Sequence, residues 1–136
     1  MTDRDLPPPR FVIEGSAITG IAAFYDEINR VFMAGEDWRL GESLDAFDDL
    51  LHGGFGALPA GRPATIVWKD MDASRAALGR AATLALLRAR LPERTQFNGA
   101  KISDQIAELE AGRGTTYFDV VMAIVADHPA ITVVPG

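Results

Sequence analysis

The chain has 136 residues, no cysteine and a formal net charge of −6. This length fits one domain with a real hydrophobic core, and the lack of cysteine excludes disulfides, thiolate metal sites and a cysteine nucleophile. The acidic balance argues against nucleic acid as a direct partner, because binding to phosphates needs a basic surface.

The N-terminal part of the chain predicts neither secretion nor membrane insertion. Residues 1–9 end in three consecutive prolines and are predicted to form an extended lead-in. They contain no apolar core of signal-peptide length, and no run in the chain approaches the roughly eighteen apolar residues of a membrane span. We therefore expect a cytoplasmic protein without a membrane partner, built as a single domain over residues 1–136.

The hydrophobic pattern predicts three short strands separated by helical segments. Strands are predicted at 10–15, 64–69 and 130–134, and helices at 20–33, 44–52, 72–91 with a break at Gly79, 103–110 and 117–128. Ser43 is expected to cap the second helix, and Thr116 with Asp119 resembles a capping box for the last one. Strands that alternate with helices indicate a parallel sheet with right-handed crossovers, so the predicted fold class is α/β.

The negative charge is concentrated in one part of the chain. Residues 26–49 contain eight acids and two arginines, a sum of −6 that equals the net charge of the whole protein. Residues 75–113 contain seven bases and four acids, a local sum of +3. The simplest interpretation of the acidic segment is a solvated face.

The helix predicted at 44–52 separates its side chains into two faces. At about 100° per residue, one continuous face is apolar and consists of Leu44, Ala46, Phe47, Leu50 and Leu51. The other face carries Asp45, Asp48, Asp49 and His52. The helix dipole favours Asp45 at the helix start, but this effect fades within the first turn and does not reach Asp49. Helix stability therefore explains Asp45 but not Asp49, so Asp49 is the better indicator of a function for this face.

Two interpretations of this acidic face do not involve a partner protein. One is the solvated side of an amphipathic helix. The other is a metal or acid–base site, because the four polar residues have a spacing that can hold a hard cation. Metal sites generally collect ligands from more than one element, however, and the other histidine, His128, is expected to lie alone beside Pro129. We therefore expect no cofactor and no catalytic residues, with a metal-dependent enzyme as a distant alternative.

The third interpretation is a protein-binding surface. A rigid acidic helix beside a glycine-rich segment that carries Phe55 can enter a basic cleft, such as the phosphate-binding site of a nuclease. Charge complementarity of this kind raises the association rate and selects the partner.

Three stretches of the sequence carry a family resemblance. They are WRLGESLDAFDDLLHGGFG at 38–56, ATIVWKDMDASRAALG at 64–79 and TTYFDVVMAIVADHPAITVV at 115–134. Together they resemble the barstar family, small acidic intracellular inhibitors of guanyl-preferring ribonucleases such as barnase. The resemblance implies a three-stranded parallel sheet packed with helices, and a protein that is not an enzyme.

The resemblance also implies a binding site. In that family the helix that corresponds to 44–52 and the loop before it plug the ribonuclease active site, with carboxylates at the positions of RNA phosphates. Asp45 and Asp49 match the two central carboxylates, and Asp49 is the expected hot spot. Further contact positions match Gly41, Ser43 and Leu44, and Gly53 or Gly54 with Phe55. The implied partner is an extracellular or toxin ribonuclease with a basic cleft, bound by a chain that is a monomer when free.

At three positions the sequence differs from a well-known inhibitor of the family. That inhibitor has tyrosines at the positions of Arg39 and Leu40 and a tryptophan at that of Asp48. An arginine at the rim weakens binding to a cationic cleft or selects a different partner, so the alternative function is a barstar-fold binding or immunity module whose target is not a ribonuclease. Residues 80–114 form an insertion relative to shorter members, interpreted as an extra helix over the open sheet face or, alternatively, as a second binding site.

Overall fold

The computed structural model describes residues 7–91 and 96–136. Most of the predicted lead-in at 1–9 therefore lies outside the described residues. The strands are β1 (Arg10–Glu14), β2 (Ala64–Lys69) and β3 (Ile131–Pro135), and the helices are α1 (Ile21–Phe32), α2 (Leu44–Leu51), α3 (Met71–Ala77), α4 (Arg80–Arg90), α5 (Gln96–Glu110) and α6 (Tyr117–Ala126). A short 3-10 helix, Gly15–Ala17, follows β1.

The three strands form one parallel sheet in the order β1-β2-β3. Val67 at the middle of the central strand lies beside Val12 on one side and Val134 on the other. The central strand is the most buried of the three, as its nearly continuous apolar run predicted. The predicted α/β fold with a parallel sheet is therefore confirmed.

The main core lies where α1, α2 and α6 pack against the sheet. Its largest fully buried side chains are those of Trp68, Tyr25, Phe24, Phe32 and Phe47. The phenol oxygens of Tyr25 on α1 and Tyr117 on α6 lie 2.5 Å apart in a buried hydrogen bond. Burial raises the pKa of both phenols above their ordinary value, so both are neutral at physiological pH.

The helices after β2 form a second, smaller core. Leu84 and Leu87 of α4 pack against Ile102 and Leu109 of α5 in a cluster separate from the main core. Gly79 separates α3 from α4, as predicted. The prediction that α5 begins near Ser103 was wrong, because its backbone is helical from Gln96. Local signals such as Asn98 and Gly99 disfavour a helix, but packing on a neighbouring helix overrides weak propensities of this kind.

A buried carboxylate ties α1 to the end of β1. Glu27 Oε2 accepts a hydrogen bond from the Glu14 backbone N–H at 2.7 Å, and Glu27 Oε1 accepts one from Arg30 Nε at 2.8 Å. The Glu27 side chain is only 5% exposed. The Arg30 guanidinium, with a smaller contribution from the Glu14 N–H, holds the pKa of Glu27 below its usual range even though burial alone would raise it.

This arrangement makes stability dependent on pH in the acid range. A carboxylate whose pKa is lower in the folded than in the unfolded protein stabilises the fold above the unfolded pKa, and that stability is lost as the pH falls through the folded pKa. We expect Glu27→Gln to lower the free energy of unfolding by about 2 kcal/mol at pH 7. Urea denaturation should show that the difference in the free energy of unfolding between the two proteins becomes smaller from pH 7 to pH 3. A difference that does not change with pH would contradict this role of Glu27.

Candidate protein-binding surface

The loop before α2 is held in place by one buried amide. Asn29 of α1 accepts a hydrogen bond on Oδ1 from the Leu40 N–H at 2.7 Å, and its Nδ2 donates to the Leu40 carbonyl at 3.1 Å. The same Nδ2 donates to the Tyr25 carbonyl at 2.8 Å. Asn29 is 5% exposed and Leu40 is 4% exposed. The amide thus pairs with the loop backbone as a neighbouring strand would, and it fixes the point where the chain turns into α2.

The turn after α2 is hydrogen-bonded to the loop that precedes α2 and to the end of α1. The Gly56 N–H donates to Glu36 Oε2 at 3.0 Å, and the Ala57 N–H donates to the Phe32 carbonyl at 2.8 Å. Gly53 and Gly56 have φ values of +82° and +75°, which a residue with a side chain rarely adopts. The glycine-rich stretch is therefore a folded turn, and both flanks of α2 are fixed.

An aromatic pair lies beside this turn. The rings of Trp38 and Phe55 have centroids 5.0 Å apart, and Trp38 remains 46% exposed. Phe55 was a predicted contact residue and is half-buried against Trp38. Exposed tryptophan of this kind is common at protein interfaces, where it supplies contact area at low entropic cost.

Helix α2 separates its faces as the sequence predicted. Ser43 accepts a hydrogen bond from the Ala46 N–H at 3.3 Å and so caps the helix start. The apolar face is buried through Phe47, Leu50 and Leu51. Asp45 and Asp49 are exposed on the opposite side. Together with exposed Glu42 and half-buried Asp48, these carboxylates form what we call the acidic surface.

Asp48 differs from its neighbours, and here the sequence prediction was wrong. His128 was expected to lie alone, but its Nε2 is 2.7 Å from Asp48 Oδ1. The two residues are 80 positions apart, and they meet because α2 packs near α6, which delivers the chain to β3 at His128. His52 completes the group, with its ring 4.6 Å from the His128 ring, centroid to centroid. A helical wheel contains no information about such long-range contacts.

Arg39, the predicted departure at the rim, is also engaged. Its Nη2 donates to Asp26 Oδ1 at 2.8 Å, and both side chains are largely exposed, at 67% and 71%. An exposed pair of this kind contributes at most about 1 kcal/mol to stability. It nevertheless places a carboxylate beside the arginine, so the positive charge of Arg39 is locally balanced.

The remaining predicted contact residues lie around α2. Gly41, Ser43 and Gly54 are exposed, whereas Leu44 and Gly53 are half-buried. In the described part of the chain, no atom beyond the two adjacent residues lies within 4 Å of the position that a Cβ would take at Gly41 or Gly54, so both backbones are open to a partner. Sequence reasoning missed Asn29, Glu36 and Trp38. Trp38 was inside the quoted motif, and Asn29 carried a signal as a polar residue on the apolar side of a predicted helix.

The fold and the geometry together define a small α/β domain that carries a rigid, exposed acidic helix. Residues 9–104 match the family model described as Barstar (barnase inhibitor), so the chain belongs to the barstar family. The family is one of inhibitors and not of enzymes. The match includes α2 and its flanking loops and runs through most of the segment 80–114, whereas α6 and β3 lie beyond it. No individual curated protein matches the chain significantly.

Among the described residues, no helix is both long enough and apolar enough to cross a bilayer.

Proposed function

We propose that this protein inhibits a guanyl-preferring, barnase-like ribonuclease by placing the acidic surface in the enzyme's basic active site. The observation that carries the proposal is the pair of exposed carboxylates, Asp45 and Asp49, on a helix whose two flanks are held by one buried and one partly buried hydrogen bond. Because the helix that carries the carboxylates is already formed and held at both flanks, little backbone entropy is lost when they bind. Membership of the barstar family supports the same function.

The chemistry of the site suits a cleft that binds RNA. A ribonuclease holds phosphates with arginine, lysine and histidine side chains, and carboxylates on one helix face can occupy the same positions. Gly41, Ser43 and Leu44 would approach the rim of the cleft, and Gly53, Gly54 and Phe55 would contact it on the other flank of α2. The protein would act in the cytoplasm as a monomer that binds the enzyme one to one.

A titration of ribonuclease activity tests this function. Increasing amounts of the chain are added to a purified guanyl-preferring ribonuclease, and cleavage of RNA is followed. We expect activity to fall in proportion to the added chain and to vanish near equimolar amounts. Full activity at a large excess of the chain would contradict inhibition of this enzyme class.

The association rate should depend strongly on salt. The carboxylates of the acidic surface attract a basic cleft over distances comparable with the Debye length, which shortens from about 30 Å at 0.01 M salt to about 10 Å at 0.1 M. We expect stopped-flow association with the ribonuclease to slow by at least about tenfold over this range. An association rate independent of salt would contradict a carboxylate plug.

A second candidate is supported by the departures at Arg39 and Asp48. The family inhibitor has aromatic side chains at both positions, whereas here Arg39 donates a hydrogen bond to Asp26 and Asp48 accepts one from His128. A barstar-fold immunity module for a toxin that is not a ribonuclease would use the same acidic surface. In that case the toxin, and not the ribonuclease, would be inhibited in a parallel titration.

A further inference from the structure

Three potential metal ligands from two distant segments meet at the C-terminal end of α2. One ligand atom from each of Asp48, His52 and His128 can be chosen so that all three lie within 4.8 Å of one another. Asp48 and His52 belong to the end of α2, and His128 lies in the turn between α6 and β3. The group therefore takes its ligands from more than one element, as metal sites generally do. The sequence alone did not reveal this.

The geometry is close to that of a coordination site. Zn²⁺ binds imidazole nitrogen and carboxylate oxygen at about 2.0–2.2 Å in a tetrahedral arrangement, which places neighbouring ligand atoms about 3.4 Å apart. His128 Nε2 and Asp48 Oδ1 are 2.7 Å apart in a direct hydrogen bond. A modest opening of this pair and a small approach of the third ligand would therefore fit the ion.

The tautomer of His52 is suited to this role. His52 Nδ1 lies 2.9 Å from the Asp48 carbonyl oxygen, which can only accept a hydrogen bond. The proton is therefore placed on Nδ1, and Nε2 keeps the lone pair that a metal needs. A hydrogen bond from the second ring nitrogen to a backbone carbonyl is the usual way in which proteins orient a ligating histidine.

The site is accessible and yet partly enclosed. The Asp48 side chain is 42% exposed, whereas that of His128 is 11% exposed. Both histidines, but not Asp48, line a cavity of about 270 Å³ between the end of α2 and the turn before β3, and Arg62 lines the same cavity. A hydrated cation can enter from solvent, exchange three of its waters for protein ligands and keep the others.

The geometry points to a binding site for a divalent transition-metal cation, with Zn²⁺ as the reference ion, formed by Asp48, His52 and His128. Two imidazoles and one carboxylate favour Zn²⁺, Ni²⁺, Co²⁺ or Cu²⁺ over Mg²⁺ and Ca²⁺, which prefer oxygen ligands throughout. The cation takes the place of the proton that His128 Nε2 donates to Asp48 Oδ1, and His128 then carries its proton on Nδ1. This inference does not depend on the proposed inhibition of a ribonuclease.

Such an ion links α2 to the turn before β3. The contact between Asp48 and His128 already joins these segments, and a metal bound to the folded protein adds a link that is absent from the unfolded chain. Binding to the folded state alone raises the apparent stability in proportion to the logarithm of the metal concentration. The thermal midpoint should therefore rise when Zn²⁺ is added.

Calorimetric titration of the metal-stripped chain tests the site. We expect one equivalent of Zn²⁺ to bind and Mg²⁺ to give no heat above dilution. His52→Ala removes an exposed ligand and should weaken Zn²⁺ binding by at least about tenfold. The matched control is Asp127→Asn, which changes an exposed residue next to His128 that is not in the cluster, and it should bind Zn²⁺ as the unaltered chain does.

Two outcomes would overturn the site. One is the absence of stoichiometric Zn²⁺ uptake by the unaltered chain. The other is uptake that His52→Ala leaves unchanged, which would show that the ion binds elsewhere. Circular dichroism of each variant checks that it is folded, and His128→Gln provides a second test from the other segment. We expect the rise of the thermal midpoint with Zn²⁺ to be lost in both histidine variants and kept in the control.

Discussion

Replacing Asp49 by alanine is expected to weaken binding to the ribonuclease proposed as the partner by about 2 kcal/mol or more, which is about 30-fold in the dissociation constant. Asp49 is an exposed member of the acidic surface, on a helix that is held at both flanks. Its removal leaves a cationic group of the enzyme without its partner in a desolvated cleft, and this accounts for most of the loss. The magnitude is the general one for interface hot spots, to which the barnase–barstar pair itself contributed.

The stability of the free protein should respond in the opposite sense. Asp45 and Asp49 are four residues apart on α2, where like charges disfavour the helix by a few tenths of a kcal/mol. Asp49→Ala should therefore leave the free energy of unfolding unchanged or slightly higher, as urea denaturation would show. Asp104→Ala is the matched control, because it removes an exposed carboxylate outside the acidic surface. Equal losses of affinity in the two variants, or unfolding caused by Asp49→Ala, would contradict a specific role for Asp49.

Replacing Asn29 by alanine is expected to lower the free energy of unfolding by about 2–4 kcal/mol. The change leaves both the N–H and the carbonyl of buried Leu40 without their side-chain partner. Each buried polar group that loses its hydrogen bond costs about 1–3 kcal/mol. The loop before α2 would also lose its attachment to α1, so affinity for the partner should fall even though Asn29 is buried and touches no partner.

Denaturation with urea gives the stability, and binding measured well below the denaturation midpoint gives the affinity. Ser43→Ala is the useful comparison, because it removes one hydrogen bond at the exposed start of the same helix and should cost about 1 kcal/mol. A loss of stability in Asn29→Ala that is no larger than the loss in Ser43→Ala would mean that the amide does not hold the loop. Unchanged affinity in Asn29→Ala would mean that the loop position does not matter for binding.

Features with a local physical cause could be predicted from the sequence. The apolar run at 64–69 indicated a buried strand, and the separation of apolar and acidic residues at 44–52 indicated which side of α2 is buried. The capping box formed by Thr116 and Asp119 is present, since its signature lies within four residues. Each of these signals depends on spacing along the chain, which the helix or strand period converts directly into a direction in space.

Contacts between remote segments could not be predicted in this way. The position of His128 beside Asp48 follows from how α6 leads into β3, and no residue pattern near either position reveals it. The pairing of Asn29 with Leu40 is similar, because a polar residue in a predicted helix does not show which backbone it will bind. The early start of helix α5 was not predicted either, because the local sequence does not show that α5 packs on α4. The scaffold was therefore more predictable than the contacts that give the candidate surface its final shape.

The central claim is that the acidic surface occupies the place of the substrate's phosphates, and the kinetic pattern of inhibition tests it most directly. Initial rates of a guanyl-preferring ribonuclease are measured at several RNA concentrations with and without the chain, at enzyme concentrations below the inhibition constant, so that RNA and the chain compete for the free enzyme. If the carboxylates of α2 lie in the phosphate-binding site, inhibition must be competitive, and it must weaken when a guanosine monophosphate is added. Inhibition that is independent of RNA concentration, or no inhibition at all, would contradict the claim.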